Sequence, residues 1–516
     1  MRYSFVLAVL FLAGSAVAAD EAPGTKMPFI INEDDSHFYF SRANEDMTLG
    51  GLQAWVDQYA DTKVTHLFLC PNAMRASFGS EVWDRIWEPK TQAMPPEGST
   101  LRHWMDNGRL LHERGLDAYA VWIARSREKG LSPWLSMRMN DVHNVDDPTH
   151  ILHSVFWAEH PEFRRVPDNP RGWVDYAFDY LHPEVREHHM KFIRELLERY
   201  DPDGLELDWM RFGYHFKPGH EAEGREVLNG FMREVRQLTR DWAAKRGHAI
   251  SLGARVPTHP DAAYGLGMDG VTWVREGLVD MLVPTPFWAT ADFDIPIELW
   301  RERLGDAAEK VVLAAGLEVL LRAHPGGPQT TNDLPSVRGF AAARVSRGAD
   351  ALYLFNYLDP APIHGGKEAY RALLEEGLGL DVAARNARRY PVTYRDTVPA
   401  GVDAQIRLPA KTRDAPAVFT IYTGPKTAGT PQIVLGVPAQ AVADVAFDVE
   451  LNGSACLPLN TQLPPEVIPG ENRLLPYEAP DTALAQGSNR IQVRQQPGQP
   501  KATLEWVELR LPGTAQ

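Results

Sequence analysis

The feature that most constrains this chain is the segment 203–212, which reads DGLELDWMRF. An Asp-Gly pair opens a turn, and the residues after it alternate between apolar and acidic with a period of two, as in a strand with two different faces. Leu205 and Leu207 therefore point to one face, and Glu206 and Asp208 to the other. Two acids on one face of a buried strand are costly unless they are paired or used chemically.

Two interpretations of these acids stay open. Both acids could neutralise arginines inside a barrel, and for Glu206, the deeper one, this explanation is as good as a catalytic one. Asp208 stands at the strand tip, and the loop after it is aromatic and basic, with Trp209, Arg211 and Tyr214. Such a loop is typical of sites that hold a sugar ring and its hydroxyl groups, so we favour a chemical role for Asp208.

Strand-like and amphipathic helical segments alternate between residues 27 and 387. Eight strand-helix units in this length predict a (β/α)8 barrel, a TIM barrel of the α/β class, with loop insertions. The alternative is an open doubly wound sheet, but residues 32–37 (NEDDSH) do not form the glycine-rich phosphate loop typical of that fold. The predicted strands are 29–33, 66–71, 134–140, 205–208, 250–256, 281–287, 311–318 and 352–357.

The phase of the strands predicts which side chains reach the barrel mouth. In the third, fifth and seventh strands an apolar set suits the helix layer, and a small or polar set faces the other way. The polar sets end in Arg138 and Asn140, in Arg255 and in Glu318. Barrel enzymes place their chemistry at the carboxyl ends of strands, so we expect these groups to lie near Asp208.

Glycosidic cleavage commonly uses two carboxyl groups across the scissile bond. We predict Asp208 as general acid/base and Glu318 as nucleophile or base, supported by Glu206. An alternative has Asp208 as nucleophile and an acid from a loop, chosen among Asp34, Asp35 and Asp292.

Further residues are candidates for substrate binding because they are aromatic, amide, acidic or basic groups at predicted strand ends or in the loops that follow. The arginines among them either pair with the acids or bind a sulfate or carboxylate on the substrate. The candidates are Arg138, Asn140, Trp209, Arg211, Tyr214, Arg255, Trp288, Tyr357, Asp35 and His37.

Two long insertions, 72–100 and 141–180, follow the second and third strands, and we expect them to wall the cleft. From 388 to 516 helical periodicity is scarce, and short β-type runs separated by Gly, Pro and Asn predict a C-terminal β-sandwich. These runs are 404–408, 418–422, 445–451, 490–493 and 504–511. We expect this part to support the barrel, with a carbohydrate-binding module as the alternative.

Composition bounds the function and the compartment. Residues 1–18 combine a basic residue, an apolar run and an A-x-A end, which predicts a signal peptide and a secreted or periplasmic protein. A net charge of −15 without a basic tract argues against nucleic acid as a partner, whereas 14 tryptophans suit an oligosaccharide or polysaccharide. No later segment is long and apolar enough to span a membrane.

The sequence suggests no metal site and no cofactor. His188 and His189 are adjacent on a predicted helix, where neighbouring residues do not face each other. Asp146 and Asp147 lack the rest of a calcium loop. The two cysteines, Cys70 and Cys456, lie far apart in the chain, which favours free buried thiols over a disulfide.

From residue 180 to residue 215 the chain resembles the bacterial glycosyl hydrolase-like proteins known as family 10 glycosylhydrolase-like. The resemblance rests on HPEVR at 182–186, a helix, then YDPDG at 200–204 and the acidic strand. In that family the phrase leads into the fourth strand of a (β/α)8 barrel. The resemblance implies a carbohydrate-active hydrolase fold with an acidic residue at Asp208. It implies no particular substrate, and it does not extend to the C-terminal part.

The same strand is similar to the chitinase-type motif D-G-x-D-x-D-x-E. Asp203, Glu206 and Asp208 fit its acidic positions, but Met210 stands where that family has its catalytic glutamate. A thioether cannot donate a proton, so substrate-assisted chitinase chemistry is not expected here. This departure leaves a second hypothesis, a carbohydrate-binding protein on a barrel scaffold.

Overall fold

The structure is a computed structural model. It describes residues 27–513 except 91, 361, 428, 442–444, 462 and 464–467. The predicted signal peptide, 1–18, therefore lies outside the described residues.

Eight parallel strands form a closed barrel, in the order β1-β2-β3-β4-β5-β6-β7-β10, with β10 pairing with β1. The predicted TIM barrel is confirmed, and each predicted strand corresponds to one observed strand. A two-stranded hairpin, β8 with β9, follows the seventh barrel strand. The strands of this part are β1 (Phe29–Glu33), β2 (His66–Leu69), β3 (Ser132–Arg138), β4 (Gly204–Asp208), β5 (Ser251–Pro257), β6 (Met281–Thr285), β7 (Val312–Glu318), β8 (Leu320–Leu321), β9 (Thr330–Thr331) and β10 (Ala351–Phe355).

Helices surround the barrel and fill its insertions. The longest, α7, ends at Arg246 and is followed by Gly247, whose φ of 78° is the left-handed conformation that favours glycine just after a helix. The α-helices are α1 (His37–Ser41), α2 (Leu49–Asp57), α3 (Thr100–Glu113), α4 (Ala118–Glu128), α5 (Val155–Glu159), α6 (Pro183–Arg199), α7 (Glu221–Arg246), α8 (Pro260–Gly265), α9 (Gly270–Arg275), α10 (Ile297–Leu304), α11 (Leu334–Ser346), α12 (Gly366–Glu376) and α13 (Leu380–Arg385). Short 3-10 helices occupy Asn44–Asp46, Pro161–Phe163, Trp173–Tyr176, Gly305–Lys310 and Asp481–Ala483.

The barrel interior has its own small core, separate from the helix layer. Phe68 and Trp134 stack there at a ring separation of 4.7 Å. Gly204, the first residue of β4, is needed beneath them, because a Cβ at this position would lie 2.3 Å from the indole of Trp134. Leu135 and Leu207 belong to the helix-layer core instead. The predicted phase of the strands is therefore confirmed, and it leaves the interior face of β4 to the two acids.

Antiparallel sheets make up the C-terminal part, and the predicted β-sandwich is confirmed. One sheet has the order β11-β21-β14-β18-β17, another the order β13-β19-β15-β16, and β12 pairs with β20. The division at 387/388 stays a prediction. The strands are β11 (Arg388–Pro391), β12 (Ala410–Lys411), β13 (Ala417–Tyr422), β14 (Gln432–Pro438), β15 (Phe447–Leu451), β16 (Ser454–Ala455), β17 (Leu457–Pro458), β18 (Asn472–Glu478), β19 (Ser488–Gln495), β20 (Thr503–Leu504) and β21 (Trp506–Leu511).

A buried ion-pair network fixes these sheets to the barrel. Arg389 of β11 lies 2.8 Å from Asp333, which caps helix α11, and 2.5 Å from Glu508 of β21. Removing one partner of a buried ion pair leaves the other charge uncompensated and is strongly destabilising. The network therefore holds the C-terminal sheets against the barrel. Cys70 and Cys456 are both buried and free. Within the part of the chain that the structure describes, none of the helices has the length and apolar character needed to cross a bilayer.

Candidate active site

Asp208, the last residue of β4, is held by three hydrogen-bond donors. Its Oδ1 accepts from the backbone N–H groups of Met210 (3.0 Å) and Arg211 (2.9 Å). Its Oδ2 accepts from Nη1 of Arg255 at 2.6 Å. All three contacts use Asp208 as an acceptor, and one of the three donors is a charged guanidinium. The residue is only 1% exposed.

Glu318, the last residue of β7, has a different environment. Its carboxyl oxygens accept from the side-chain amide of Asn356, each at 3.1 Å, and Oε1 accepts from the backbone N–H of Val319 at 3.0 Å. The side chain has no exposed surface. Burial raises the pKa of Glu318 to about 8, although the charges of Arg211 and Arg255 oppose this shift. This shift favours the protonated form of Glu318 at neutral pH.

Arg255 links the two carboxyl groups electrostatically. It is fully buried, pairs with Asp208 and lies over the ring of Phe355, with its guanidinium carbon 3.9 Å from the ring centroid. Phe355 is paired in register with Glu318 on the neighbouring strand. The two carboxyl groups therefore differ in their donors: Asp208 accepts from a guanidinium, whereas Glu318 accepts from neutral amide and backbone groups.

Glu206 lies one layer deeper in the barrel. Its Oε1 accepts from the hydroxyl groups of Ser136 (2.6 Å) and Tyr353 (2.8 Å), and its Oε2 has no partner among the described residues. Burial, with a contribution from the charge of Asp208, raises the pKa of Glu206 to about 7, against the lowering effect of Arg255. One interpretation of the sequence was that Glu206 pairs with an arginine. In the structure, the hydrogen-bond donors to Glu206 are neutral hydroxyl groups.

Replacing Glu206 by glutamine is expected to flatten the pH dependence of stability. The folded-state pKa of about 7 lies above the ordinary value of 4.5. Stability from this group is therefore fully present below pH ~4.5 and is lost as pH rises through about 7. The difference corresponds to a cost on the order of 3 kcal/mol at pH ~8. Chemical denaturation should show that the free energy of unfolding falls less between pH ~4.5 and ~8 for Glu206→Gln than for the parent. An equal fall in both proteins would contradict the raised pKa of Glu206.

Arg138, the last residue of β3, gathers the acids that follow β1 and β3. Its guanidinium contacts Asp34, lies 3.1 Å from Asp35 and lies 3.3 Å from Asp141. Although burial alone would raise it, Arg138 holds the pKa of Asp34 well below its usual range. Burial raises the pKa of Asp35 well above its usual range, and the like charges of Asp34 and Asp141 raise it further. The arginine is therefore engaged with protein acids.

His37, on α1, lies in a closed network. Its Nδ1 is 2.8 Å from Glu33, and its Nε2 is 2.9 Å from the carbonyl oxygen of Asp359. Burial alone would lower its pKa, but Glu33 and Asp359 raise the pKa of His37 to about 9. The three side chains are close enough to hold a metal ion. Arg42 also pairs with Asp359 at 2.5 Å, so the network already contains a cationic partner for these acids.

Three of the predicted substrate-binding residues, Trp209, Asn140 and Tyr357, are almost completely buried in this structure. Trp209 is fully buried in the helix layer, because the period that turns Asp208 inward turns Trp209 outward. Asn140 uses its amide to hold loop carbonyl groups of Phe178 and Tyr214, each at 3.0 Å. Tyr357 has no exposed surface.

An aromatic cavity of about 420 Å³ opens beside the carboxyl ends of β3, β4 and β6. Trp288 and Trp173 are its most exposed rings, at 46% and 43%. Trp173 stacks on Phe287 at 5.4 Å and meets Tyr214 edge to face at 6.4 Å. The lining residues are Val142, His143, Asn144, Val145, Asp146, Trp173, Arg211, Phe212, Phe287, Trp288, Ala289 and Asp396.

The sequence located only part of this cavity. Trp288 and Arg211 are among the predicted substrate-binding residues, and Trp173 belongs to the insertion 141–180, which is expected to wall the cleft. The insertion after β2 contributes elsewhere, for example by stacking Trp83 on Phe192 of α6 at 4.2 Å. Asp396 carried no sequence pattern that pointed to the site.

Asp396, from the C-terminal part, anchors one wall of the cavity. Its carboxylate accepts three consecutive backbone N–H groups, those of Phe287 (2.9 Å), Trp288 (2.9 Å) and Ala289 (3.0 Å). Burial raises the pKa of Asp396, and the three N–H donors oppose this shift. The loop that presents the exposed Trp288 ring is thus fixed by a residue outside the barrel.

Replacing Asp396 by alanine is expected to loosen this loop and weaken glycan binding about ten-fold or more. Three backbone donors would lose a charged acceptor, and each hydrogen bond to a charged group contributes about 1.5–3 kcal/mol. Titration of the intrinsic tryptophan fluorescence with glycan measures the effect. Asp403→Ala, which removes an exposed carboxylate from the same part of the chain, is the control. Equal affinities for parent and Asp396→Ala would rule out the anchoring role.

No protein-family model matches the chain, and no curated protein is significantly similar to it in sequence. Three bacterial proteins are among the solved structures that match this chain. A Paenibacillus cycloisomaltooligosaccharide glucanotransferase is 10% identical over 93% of this chain and 57% of its own, with a TM-score of 0.34. Alpha-L-fucosidase isoenzyme 2 from Paenibacillus thiaminolyticus is 13% identical over 70% and 51%, with a TM-score of 0.40. A family GH18 chitinase from Chromobacterium violaceum is 10% identical over 93% and 90%, with a TM-score of 0.37.

The chain thus spans 57% and 51% of the first two of these proteins. At 10–13% identity, the likeness concerns the fold. The site itself has to carry any inference about activity.

Proposed function

We propose that the protein is a secreted glycoside hydrolase in which Glu318 is the proton donor and Asp208 is its ionised partner. The observation that carries this proposal is the contrast between the two carboxyl groups. Glu318 is buried with weak amide donors, and burial raises its pKa to about 8. Asp208 instead accepts from the charged guanidinium of Arg255 at 2.6 Å. Environments that hold one carboxyl group protonated and the other ionised are the usual basis of glycosidase chemistry.

In this mechanism Glu318 transfers its proton to the leaving oxygen as the glycosidic bond breaks. Asp208 stabilises the positive charge that develops on the sugar ring, either as an ion or by forming a covalent intermediate. Water then supplies the hydroxyl group of the new reducing end, and its other proton returns to Glu318. The roles of the two residues are the reverse of those that the strand pattern suggested.

The substrate reaches the carboxyl groups from the aromatic cavity. Arg211 lies between Asp208 and the aromatic cavity, since its backbone N–H binds Asp208 and its side chain lines the cavity. Because Glu318 has no exposed surface, a productive substrate requires local movement of the side chains that cover this carboxyl group. Trp173 and Trp288 offer ring faces on which a pyranose can stack.

Two sequence features support the same proposal. The likeness of residues 180–215 to the family 10 glycosylhydrolase-like proteins suggests a carbohydrate-active barrel, and residues 1–18 suggest export to the periplasm or the medium. Both are consistent with an oligosaccharide or polysaccharide as substrate.

The test is hydrolysis of a panel of neutral, uronic-acid and sulfated oligosaccharides by the full mature chain, followed by product analysis. We expect at least one glycan to be cleaved with a new reducing end. The parallel variant is Asp208→Asn, which should bind that glycan and cleave it at least about 100-fold more slowly. Cleavage at the parental rate by Asp208→Asn would remove the pair from the mechanism.

A non-catalytic glycan-binding protein is the second candidate. Two observations favour it, the burial of both carboxyl groups below the cavity and Met210 in place of an acid. Glycan binding with no turnover by the parent, and with unchanged affinity in Asp208→Asn, would select this candidate.

A further inference from the structure

Arg211 differs from the other two arginines at the barrel mouth. Arg255 pairs with Asp208, and Arg138 contacts three carboxyl groups. Arg211 makes no such ion pair within the described part of the chain. Its Nη2 donates towards Nε2 of His143 at 3.1 Å, and its Nε and Nη1 have no hydrogen-bond partner among the described residues.

The environment of Arg211 makes this lack of partners costly. The residue is only 6% exposed, and burial together with the charge of Arg138 lowers its pKa. A buried guanidinium with free N–H groups is destabilising unless a partner satisfies it. The nearby acids Asp34, Asp141 and Glu318 are engaged with other donors.

His143 orients the guanidinium without neutralising it. Its Nδ1 lies 2.8 Å and 3.0 Å from the two carboxylate oxygens of Asp141, so this nitrogen carries the hydrogen. The Nε2 atom is then the acceptor for Arg211. One hydrogen of Nη2 is used in this contact, which leaves the other hydrogen and those of Nη1 for an acceptor that approaches from the cavity.

The cavity wall suits a sugar ring next to this guanidinium. Phe212 and Phe287 lie on one side of Arg211, with its guanidinium carbon 5.6 Å and 5.9 Å from the two ring centroids. Among the lining acids, Asp396 is occupied by backbone donors and Asp146 is exposed at the rim. Neither therefore satisfies the guanidinium.

We infer that the cavity takes a saccharide with a carboxylate or sulfate group, and that Arg211 binds this oxyanion through Nη1 and Nη2 while the aromatic wall holds the ring. The inference rests on the proposed function, because it names the substrate class of the same site. A planar guanidinium fork matches the geometry of such oxyanions.

The experiment measures binding separately from turnover. Full-length Glu318→Gln is titrated by calorimetry with neutral, uronic-acid and sulfated oligosaccharides of equal length. Arg211→Gln and Arg211→Lys are made in the same background. Arg225→Gln is the control, since it removes an arginine that stacks on Tyr264 at 3.5 Å on the outer helix α7.

We expect an anionic saccharide to bind at least ten-fold more tightly than its neutral counterpart, and Arg211→Gln to abolish this preference through a loss of about ten- to hundred-fold in affinity for the anionic ligand only. Arg211→Lys should retain part of the preference for the anionic saccharide, because lysine keeps the positive charge but lacks the planar guanidinium. Raising salt from ~50 to ~500 mM should reduce the preference. The ranking of uronate against sulfate identifies which oxyanion is bound.

Equal affinity for neutral and anionic saccharides, or an equal loss for both in Arg211→Gln, overturns the inference and leaves the proposed function intact. If no saccharide binds and none is cleaved by the parent, the proposed function fails as well. The two failures are therefore distinguishable.

Discussion

Replacing Glu318 by glutamine is expected to lower kcat/KM for oligosaccharide hydrolysis by about 10²–10⁴-fold while glycan binding remains within a few-fold of the parent. That range is typical for the loss of a general acid. The amide keeps the size of the side chain and can still accept from Asn356, so the fold should persist. Glu368→Gln, which neutralises an exposed carboxylate on α12, is the control for loss of charge alone.

The pH profile gives this prediction a second readout. Because Glu318 acts in its protonated form and its pKa is raised to about 8, parental kcat/KM should fall as pH rises through about 8. The residual activity of Glu318→Gln should lack this decline. In addition, Glu318→Gln should be more stable than the parent above pH ~8, since it no longer has a buried carboxyl group to ionise. A decline that persists in the variant would point to another acid.

The second large effect is expected for Arg255→Met. Removal of one partner of a fully buried ion pair leaves the other charge uncompensated, which costs about 3–5 kcal/mol. Asp208 is the residue left in this state, because Arg255 supplies its only charged donor among the contacts described. Chemical denaturation of the full chain at pH ~7 measures the loss.

A double variant separates the ion pair from packing. Asp208→Asn/Arg255→Met should recover a substantial part of the lost stability, because neither charge is then buried alone. A loss below about 1 kcal/mol for Arg255→Met, or an additive loss in the double variant, would show that the pair is not coupled as the distances indicate.

Much of the barrel was predictable because its strands obey a simple period. Alternation in the 203–212 segment determines that Asp208 faces inward, and the same alternation places Trp209 in the helix layer. The aromatic composition of the loop had suggested a sugar contact for Trp209, but in the structure the strand geometry outweighs composition. Glu318 could be located in the same way, since β7 ends at the predicted residue.

The C-terminal part was less predictable. Residues 404–408 alternate like a strand, yet Gln405 has a φ of 59°, which breaks an extended backbone. The strands β14 and β18 were missed. The burial of five consecutive residues in β14 removes the alternation that marks a half-exposed strand, and β18 contains Pro476, which discourages a strand prediction.

The cavity depends on contacts that no local pattern encodes. Asp396 and the 287–289 loop are more than a hundred residues apart in sequence but meet through three hydrogen bonds. The free N–H groups of Arg211 likewise become visible only when the partners of all neighbouring acids are known. Sequence periodicity therefore predicts the carboxyl groups of this site better than it predicts the pocket that would hold the substrate.

The most direct test of Glu318 as the proton donor compares substrates with different leaving groups. The parent and Glu318→Gln are assayed on one sugar linked either to a good leaving group, such as a dinitrophenol, or to a second sugar. A dinitrophenolate departs without protonation, whereas a sugar alkoxide needs it. If Glu318 is the proton donor, Glu318→Gln should lose at least about 100-fold in kcat/KM on the disaccharide and less than about ten-fold on the aryl glycoside. Equal losses on both substrates would contradict the assignment of Glu318 as proton donor.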